Sequence, residues 1–404
     1  MSYRLLERLG VELEYMLVRD DTLEVAPIAD QVLFDAGAGA DGDLPRGMFS
    51  WSNELTNHVV ELKTSRPVEH LEHVHLALHA EVSWFREQAA RHGCTLLPTA
   101  MHPWMNPSTE TVLWPHGNAG IYQAYDRIFH CQGHGWANVQ STHLNLSFSG
   151  DAEFAKLHAA IRILLPLIPA IAASSPMVEG KLSGHHDSRL FFYRDNQSRV
   201  PEIAGSVIPE PLYCEADYRR GIFEPIAAAM QTHDPEGILE LDFLNSRGAI
   251  ARFDRGSIEI RLVDIQECPA ADLAILEVIV EALRWIVKTI DFEVIQSVRT
   301  DDLAKLLWQT AHLGGDAVVE IAEILDLWQF NEPVAASVIW QSLFDEVGAH
   351  LSKSALRTFA SILVTGTLSD RIRNAVGQNP DHEQIAKIYR KLANCLAANR
   401  LFKA

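Results

Sequence analysis

The sequence is short of cysteine, short of positive charge and without a long apolar run, and each shortage excludes something. Five cysteines (Cys94, Cys131, Cys214, Cys268 and Cys395) are scattered with no CxxC or Cys/His spacing, which excludes a disulfide framework and a structural zinc site and fits a reducing, cytoplasmic setting. None has a histidine partner in a nucleophile motif, so buried thiols are expected. Lys and Arg number 34 against 53 Asp and Glu, for a net charge of -19, and such a field repels nucleic acid and anionic membranes. The longest apolar stretch, 163–173, is too short for a membrane span and is broken by proline, and the first residues carry no signal-like core. The segment 35–47 is rich in Gly and Asp but lacks phosphate-loop spacing, so it reads as a flexible connector that could serve as a lid.

With 48% hydrophobic and 22% charged residues over 404 positions, the chain can bury a large core. VELEYMLV (11–18), VVELKT (59–64), CTLLPTAMHP (94–103) and NVQSTHLNLSFS (138–149) read as strands from alternation and β-branching. AIARF and SIEIRLVDI flank Asp254-Arg255-Gly256, a hairpin signal. Residues 67–93 open with Pro and close with Gly around helically spaced apolar residues, predicting one long helix whose histidines face solvent. A short helix is expected over 122–130, and an apolar helix over 154–176 that its prolines divide. From Pro269 onward the pattern is helical, with no repeat or linker. The expected fold class is α+β, with a catalytic domain over 1–295 and a helical C-terminal subdomain over 296–404 packed on it.

Carboxylates stand where a sheet interior is expected. Residues two apart on a strand share a face, so Glu12 pairs with Glu14, and His143 with Asn145. Glu54 and Glu61 flank the next strand, and Glu259 lies beside Arg261 on the hairpin with Arg252. A single Glu on an alternating strand is ordinarily its solvated face, and a single His a satisfied core residue. A cluster differs, because two carboxylates about 5 Å apart repel by roughly 3 kcal/mol at an effective dielectric near 20. Several together require cations. Carboxylate oxygens with one imidazole suit Mg²⁺ or Mn²⁺ better than zinc, and Mg²⁺ points to a phosphate substrate. The arginines either pair locally with Glu259, Asp254 or Asp264, or stabilise a transferring phosphoryl group. His116, His130, His134, His185 and His186 read as loop or surface residues.

In this order the strings resemble the glutamate-cysteine ligase type 2 family, carboxylate-amine ligases of the glutamine synthetase-like superfamily. GVELEY is similar to its opening GxExE/F motif, Glu54 and Glu61 keep its seven-residue separation, and THLNLS is similar to its HxN strand. SSPMVEGKLSGHHDSR (174–189) resembles its SPF-x-EG...S-x-R loop, and RFDRGSIEIRLVDIQECP (252–269) its R...G-x-I-E-x-R-x-x-D signature. The resemblance covers about residues 8–290. It implies an antiparallel β-sheet basin backed by helices, with Glu12, Glu14, Glu54, Glu61, His143 and Glu259 as metal ligands and Arg261 and Arg252 on the phosphates of ATP. Arg189 matches the loop arginine near the amino-acid carboxylate, with Glu179, Lys181 and Asn145 shaping that pocket. Met177-Val178 and Gly184-His185-His186 depart from the family pattern where substrate identity is set.

The expected reaction joins a carboxylate, glutamate's γ-carboxylate first among them, to a small amine or amino acid such as cysteine through an acyl phosphate. A ligase for another carboxylate or amine, a guanidine kinase and a non-catalytic metabolite-binding relative are the alternatives. A homo-oligomer is compatible with the sequence.

Overall fold

A computed structural model describes residues 3–404 and shows a mixed α/β molecule built on an eight-stranded sheet. Its strands are β1 (Leu9–Arg19), β2 (Leu44–Arg46), β3 (Phe49–Asn53), β4 (Val59–Thr64), β5 (Cys94–Leu97), β6 (Ser141–Ser147), β9 (Ala249–Arg252) and β10 (Ser257–Asp264). Two further short strands, β7 (Met177–Val178) and β8 (Lys181–Leu182), form a separate hairpin between β6 and β9. The sheet runs β2-β3-β4-β1-β6-β10-β9, every pairing is antiparallel, and β5 pairs with the far end of β1 at Met16–Arg19. This is the α+β antiparallel sheet expected from the motifs, with β4, β1 and β6 at its centre.

Alternation divides each strand between two faces. On β1, Val11, Leu13, Tyr15 and Leu17 are buried in one apolar cluster with Leu78, Val82 and Phe85 from the helix His75–Ala90, Phe154 and Leu157 from Gly150–Leu164, and Leu276 and Val278 from Pro269–Thr289. These helices back the sheet. The opposite face of β1 carries Glu12 and Glu14, then Met16 and Val18. Met16 and Val18 belong to a second apolar cluster with Leu368, Ile372, Ile388, Tyr389 and Leu392 of the helices Leu368–Val376 and His382–Ala398. The last helices therefore cover one end of the face whose other end is acidic.

Several elements differ from expectation for local reasons. The segment 67–93 is a 3-10 turn, Leu71–Val74, followed by a helix that starts only at His75; His75 and His79 are half-buried rather than solvated. The strand expected over 94–103 stops at Leu97, and Thr99 takes φ +102. The strand expected over 138–149 is Ser141–Ser147, and the helix expected over 122–130 is Ala119–Phe129. Residues 35–47 are partly ordered by β2, which pairs with β3. From Pro269 onward, a two-residue pairing of Val318–Val319 with Val334–Ala335 interrupts the helices. The prolines divide 154–176 as anticipated, with a 3-10 turn at Leu165–Leu167 between two helices. No helix among the described residues is long and apolar enough to cross a membrane, and all five cysteines are free.

Candidate active site

Cross-strand register assembles the acidic face. Glu14 stands opposite Glu61, Glu12 opposite both Lys63 and His143, and Asn145 opposite Glu259. Gly10 lets β1 and β6 approach closely, since a Cβ there would press on the Asn145 Cβ at 3.1 Å. His143 is the hub: its Nδ1 is 3.3 Å from Glu12 Oε2 and 3.9 Å from Glu259 Oε1, and its Nε2 is 3.8 Å from Glu14 Oε1. Asn145 Nδ2 donates to Glu12 Oε1 at 3.0 Å, and the Ser141 amide and hydroxyl donate to Glu14 Oε2 at 2.7 and 3.0 Å. One donor atom each from Glu12, Glu61 and His143 lie within 4.8 Å of one another.

Electrostatics records the crowding. Burial and the charges of Glu61 and Glu14 hold Glu54 well above the usual carboxylate range, and burial with the charge of Glu12 lifts Glu61. Burial is the largest influence on Glu12 and pushes it up, but the hydrogen bond and charge of His143 together with the hydrogen bond to Glu61 leave it low. Burial alone would lower His143, yet its bond to Glu12 and the charge of Glu14 carry it to about 9. Five carboxylates (Glu12, Glu14, Glu54, Glu61 and Glu259) thus face three cations, namely protonated His143, Lys63 and Arg261. Hard oxygen donors with a negative surplus fit a divalent cation of the Mg²⁺ class.

Arg261 lies 3.3 Å from Glu259 Oε1, and the charges of Tyr193, Glu259, Glu14 and Glu12 raise it despite burial. The local ion pair foreseen for the arginines is present here, but Asp264 takes no part in it: its partner is Arg189, Nε to Oδ1 2.5 Å. Arg252, on edge strand β9, pairs with Asp254 at 3.8 Å, and its guanidinium lies 5.0 Å from the Phe243 ring. Arg189 is 2% exposed. Glu179 and Lys181 are exposed on the β7–β8 hairpin, whose turn holds Glu179 at φ +50 and Gly180 at φ +75, and Glu179 lies 3.5 Å from His134. His116 pairs with Asp30 and His186 with Asp370.

Sequence reasoning passed over four groups here. Lys63 Nζ reaches Glu61 Oε2 at 2.7 Å and Ser52 Oγ at 3.0 Å, and its position two residues after Glu61 on a strand was the available signal. Ser141 is likewise two residues before His143. Tyr122, whose hydroxyl accepts from Asn53 Nδ2 at 3.1 Å and is raised by burial and by Glu54, comes from a helix remote in sequence. Asp264 is the last letter of the signature read over 252–269, but it was given no role beyond that of a local partner.

The profile of glutamate-cysteine ligase family 2 matches residues 8–390. An uncharacterized protein of Archaeoglobus fulgidus is 38% identical over 279 residues, covering 68% of this chain and 74% of its own. A provisionally named glutamate-cysteine ligase 2 of Salinispora tropica is 28% identical over 323 residues, covering 77% and 75%. A protein of the same provisional name from Streptomyces coelicolor is 28% identical over 272 residues, covering 66% of this chain and 65% of its own length. Among solved structures, the glutamate-cysteine ligase of Francisella tularensis in complex with AMP superposes with a TM-score of 0.59 at 13% identity, over 99% of this chain and 90% of that one. A bifunctional glutathione synthetase of Pasteurella multocida also gives 0.59, at 14% identity, over 97% of this chain and 51% of that one. Those two similarities establish the fold. The chain belongs to glutamate-cysteine ligase family 2 and is an ATP-dependent carbon-nitrogen ligase.

Proposed function

We propose, with that membership as premise, that the protein joins the γ-carboxylate of glutamate to a small amine, cysteine being one candidate, through an acyl phosphate. The supporting observation is one sheet face that gathers five carboxylates and a histidine beside Arg261. Glu12, Glu61 and His143 would hold one Mg²⁺ or Mn²⁺, with Glu14, Glu54 and Glu259 completing the set. When bound, the ion neutralises phosphate charge and polarises the transferring group. Lys63, which pairs with Glu61, balances that carboxylate.

In this reading a substrate carboxylate oxygen attacks the γ-phosphorus of ATP, the bond to the β–γ bridging oxygen breaks, and ADP leaves. The amine nitrogen then attacks the acyl carbon, phosphate departs with the electron pair of the C–O bond, and the nitrogen loses a proton. Arg261 stabilises charge on the phosphoryl oxygens as it is transferred, and Arg252 holds the nucleotide from the sheet edge. Glu179, Lys181 and Asn145 shape the amino-acid side, and Arg189 supports it from beneath.

The test is ADP release by purified protein with Mg²⁺ and ATP, with and without glutamate, across a panel of amines with product mass recorded. Glutamate-dependent ADP with a γ-glutamyl mass supports the reading and identifies the acceptor. ADP release that ignores glutamate but follows another carboxylate moves the substrate assignment, and none with any pairing rejects the proposal.

A further inference from the structure

Strict alternation from Glu259 would send Asp264 into the core, because the two are five residues apart. The observed register avoids this. Ile260 faces Leu144 and Val263 faces Thr142, so two residues, Arg261 and Leu262, stand against the single residue His143. This β-bulge brings Asp264 opposite Ser141, on the face that also carries His143 and Asn145. The extra residue is accommodated only because Gly248 has no side chain; a Cβ there would lie 2.7 Å from Leu262 Cγ.

At the bulge the main chain of Arg261 keeps its in-register partner on β9, Gly248, which continues the Ile260–Ala249 pairing, while its carbonyl turns to a side chain. Its N–H donates to Gly248 O at 2.9 Å, and its carbonyl faces both terminal nitrogens of Arg189 at 3.4 Å. Arg189 is in turn fixed by Asp264 through Nε, while Asp264 Oδ2 accepts from the Ser174 amide at 2.8 Å and the Ser175 hydroxyl at 3.0 Å. The Arg189 amide donates to the same Ser175 hydroxyl at 3.1 Å. Asp187 caps the helix Ser188–Asp195 at Leu190 N; burial holds both Asp187 and Asp264 above the usual carboxylate range, and the Arg189 guanidinium opposes that rise in Asp264.

We propose that Asp264 is a positioning residue for the reaction: through Arg189 it clamps the bulged main chain at Arg261, so that the Arg261 side chain is aimed at the acidic basin. What Arg261 does there rests on the ligase reading above, whereas the clamp rests on the contacts alone. Stability alone is a weak reason for such a pair, since a buried ion pair is often matched or bettered by apolar residues of similar volume. Asp264 is fully buried and touches no substrate space, so it acts through its neighbour.

The decisive comparison is the double variant Asp264→Asn/Arg189→Gln, because either single change strands a buried charge and can prevent folding. The double variant removes both charges. Its melting temperature is expected to lie near that of wild type, while kcat falls about 10- to 100-fold, as for residues that support a catalytic group, and Kd for ATP rises severalfold. Adding Arg261→Ala should then cost much less than Arg261→Ala does in wild type, because the two act along one path. A folded double variant with kcat and ATP affinity within threefold of wild type, or losses that simply add with Arg261→Ala, overturns the proposal. If the double variant fails to fold, Ser175→Ala loosens the same clamp without touching charge. A kcat lowered threefold or more at an unchanged melting temperature supports the clamp, and an unchanged kcat overturns it. If wild type releases no ADP with any substrate, the ligase reading falls, and the ATP affinities alone decide the clamp.

Discussion

Along one face of β1 the chain makes two opposite choices. Glu12 and Glu14 lie among like charges and polar partners, while Met16 and Val18, next on the same face, are sealed beneath the helices Leu368–Val376 and His382–Ala398. The first half spends stability on reactivity, since crowded, half-desolvated carboxylates are poor neighbours without a cation. The second half gains stability from burial and keeps the strand rigid. A site made on a central strand thus has its anchor within two residues of its chemistry.

That contrast can be broken first from its acidic end. Glu61→Gln or Glu259→Gln should lower kcat by more than about a hundredfold while leaving the folded state intact. ADP release and circular dichroism measured together check this, and retained turnover in either variant would end the ligand assignment. At the apolar end, Met16→Ala should cost about 2–5 kcal/mol of unfolding free energy by leaving a cavity, with kcat of the folded enzyme unchanged. Chemical denaturation decides it, and a stable variant with impaired turnover would erase the division of labour.

Acidity sharpens the comparison. His143 is raised from 6.5 to about 9, so its stabilising contribution is complete below pH 6.5 and lost as pH rises through 9. That amounts to on the order of 3 kcal/mol for an isolated titration. Glu54 and Glu61, also raised, contribute in the same sense at pH above 4.5, while Glu12, held low, loses its contribution only as pH falls. Unfolding of metal-free protein should therefore become easier between pH 6.5 and 9, and His143→Gln or saturating Mg²⁺ should flatten the slope. A pH-independent wild type would contradict the proton-for-cation picture. The smallest effect is expected at the sheet edge, where Arg252→Ala should raise KM for ATP severalfold with kcat within about threefold, a loss near 1 kcal/mol for the removal of one phosphate contact. Initial-rate kinetics across ATP concentration would show it.

Much of the acidic half was legible in the sequence. Period-two patterning placed Glu12 with Glu14 and His143 with Asn145, and the Asp254–Gly256 turn, with Gly256 at φ +64, fixed the β9–β10 hairpin. Strands β2 and β3 were missed although Phe49-Ser50-Trp51-Ser52 alternates, because the run is only five residues long and because β2 emerges from a Gly/Asp-rich segment. The cover over Met16 and Val18 was invisible for another reason. Amphipathic helices some 350 residues downstream announce that they have an apolar face, not which surface it meets. Asp264 escaped because alternation is a rule about regular strands, and β10 is not regular at the point that matters.

The bulge also leaves a trace in the spelling of the chain. An unbroken strand would present its glutamate, arginine and aspartate on one face as ExRxD, whereas this chain reads Glu259-x-Arg261-x-x-Asp264, with Leu262 as the inserted letter. The three-residue step from arginine to aspartate is thus a written record of a backbone distortion. Wherever that spacing occurs in a comparable hairpin, with a glycine facing the insertion as Gly248 does here, the same kink can be read from the letters before any coordinates exist.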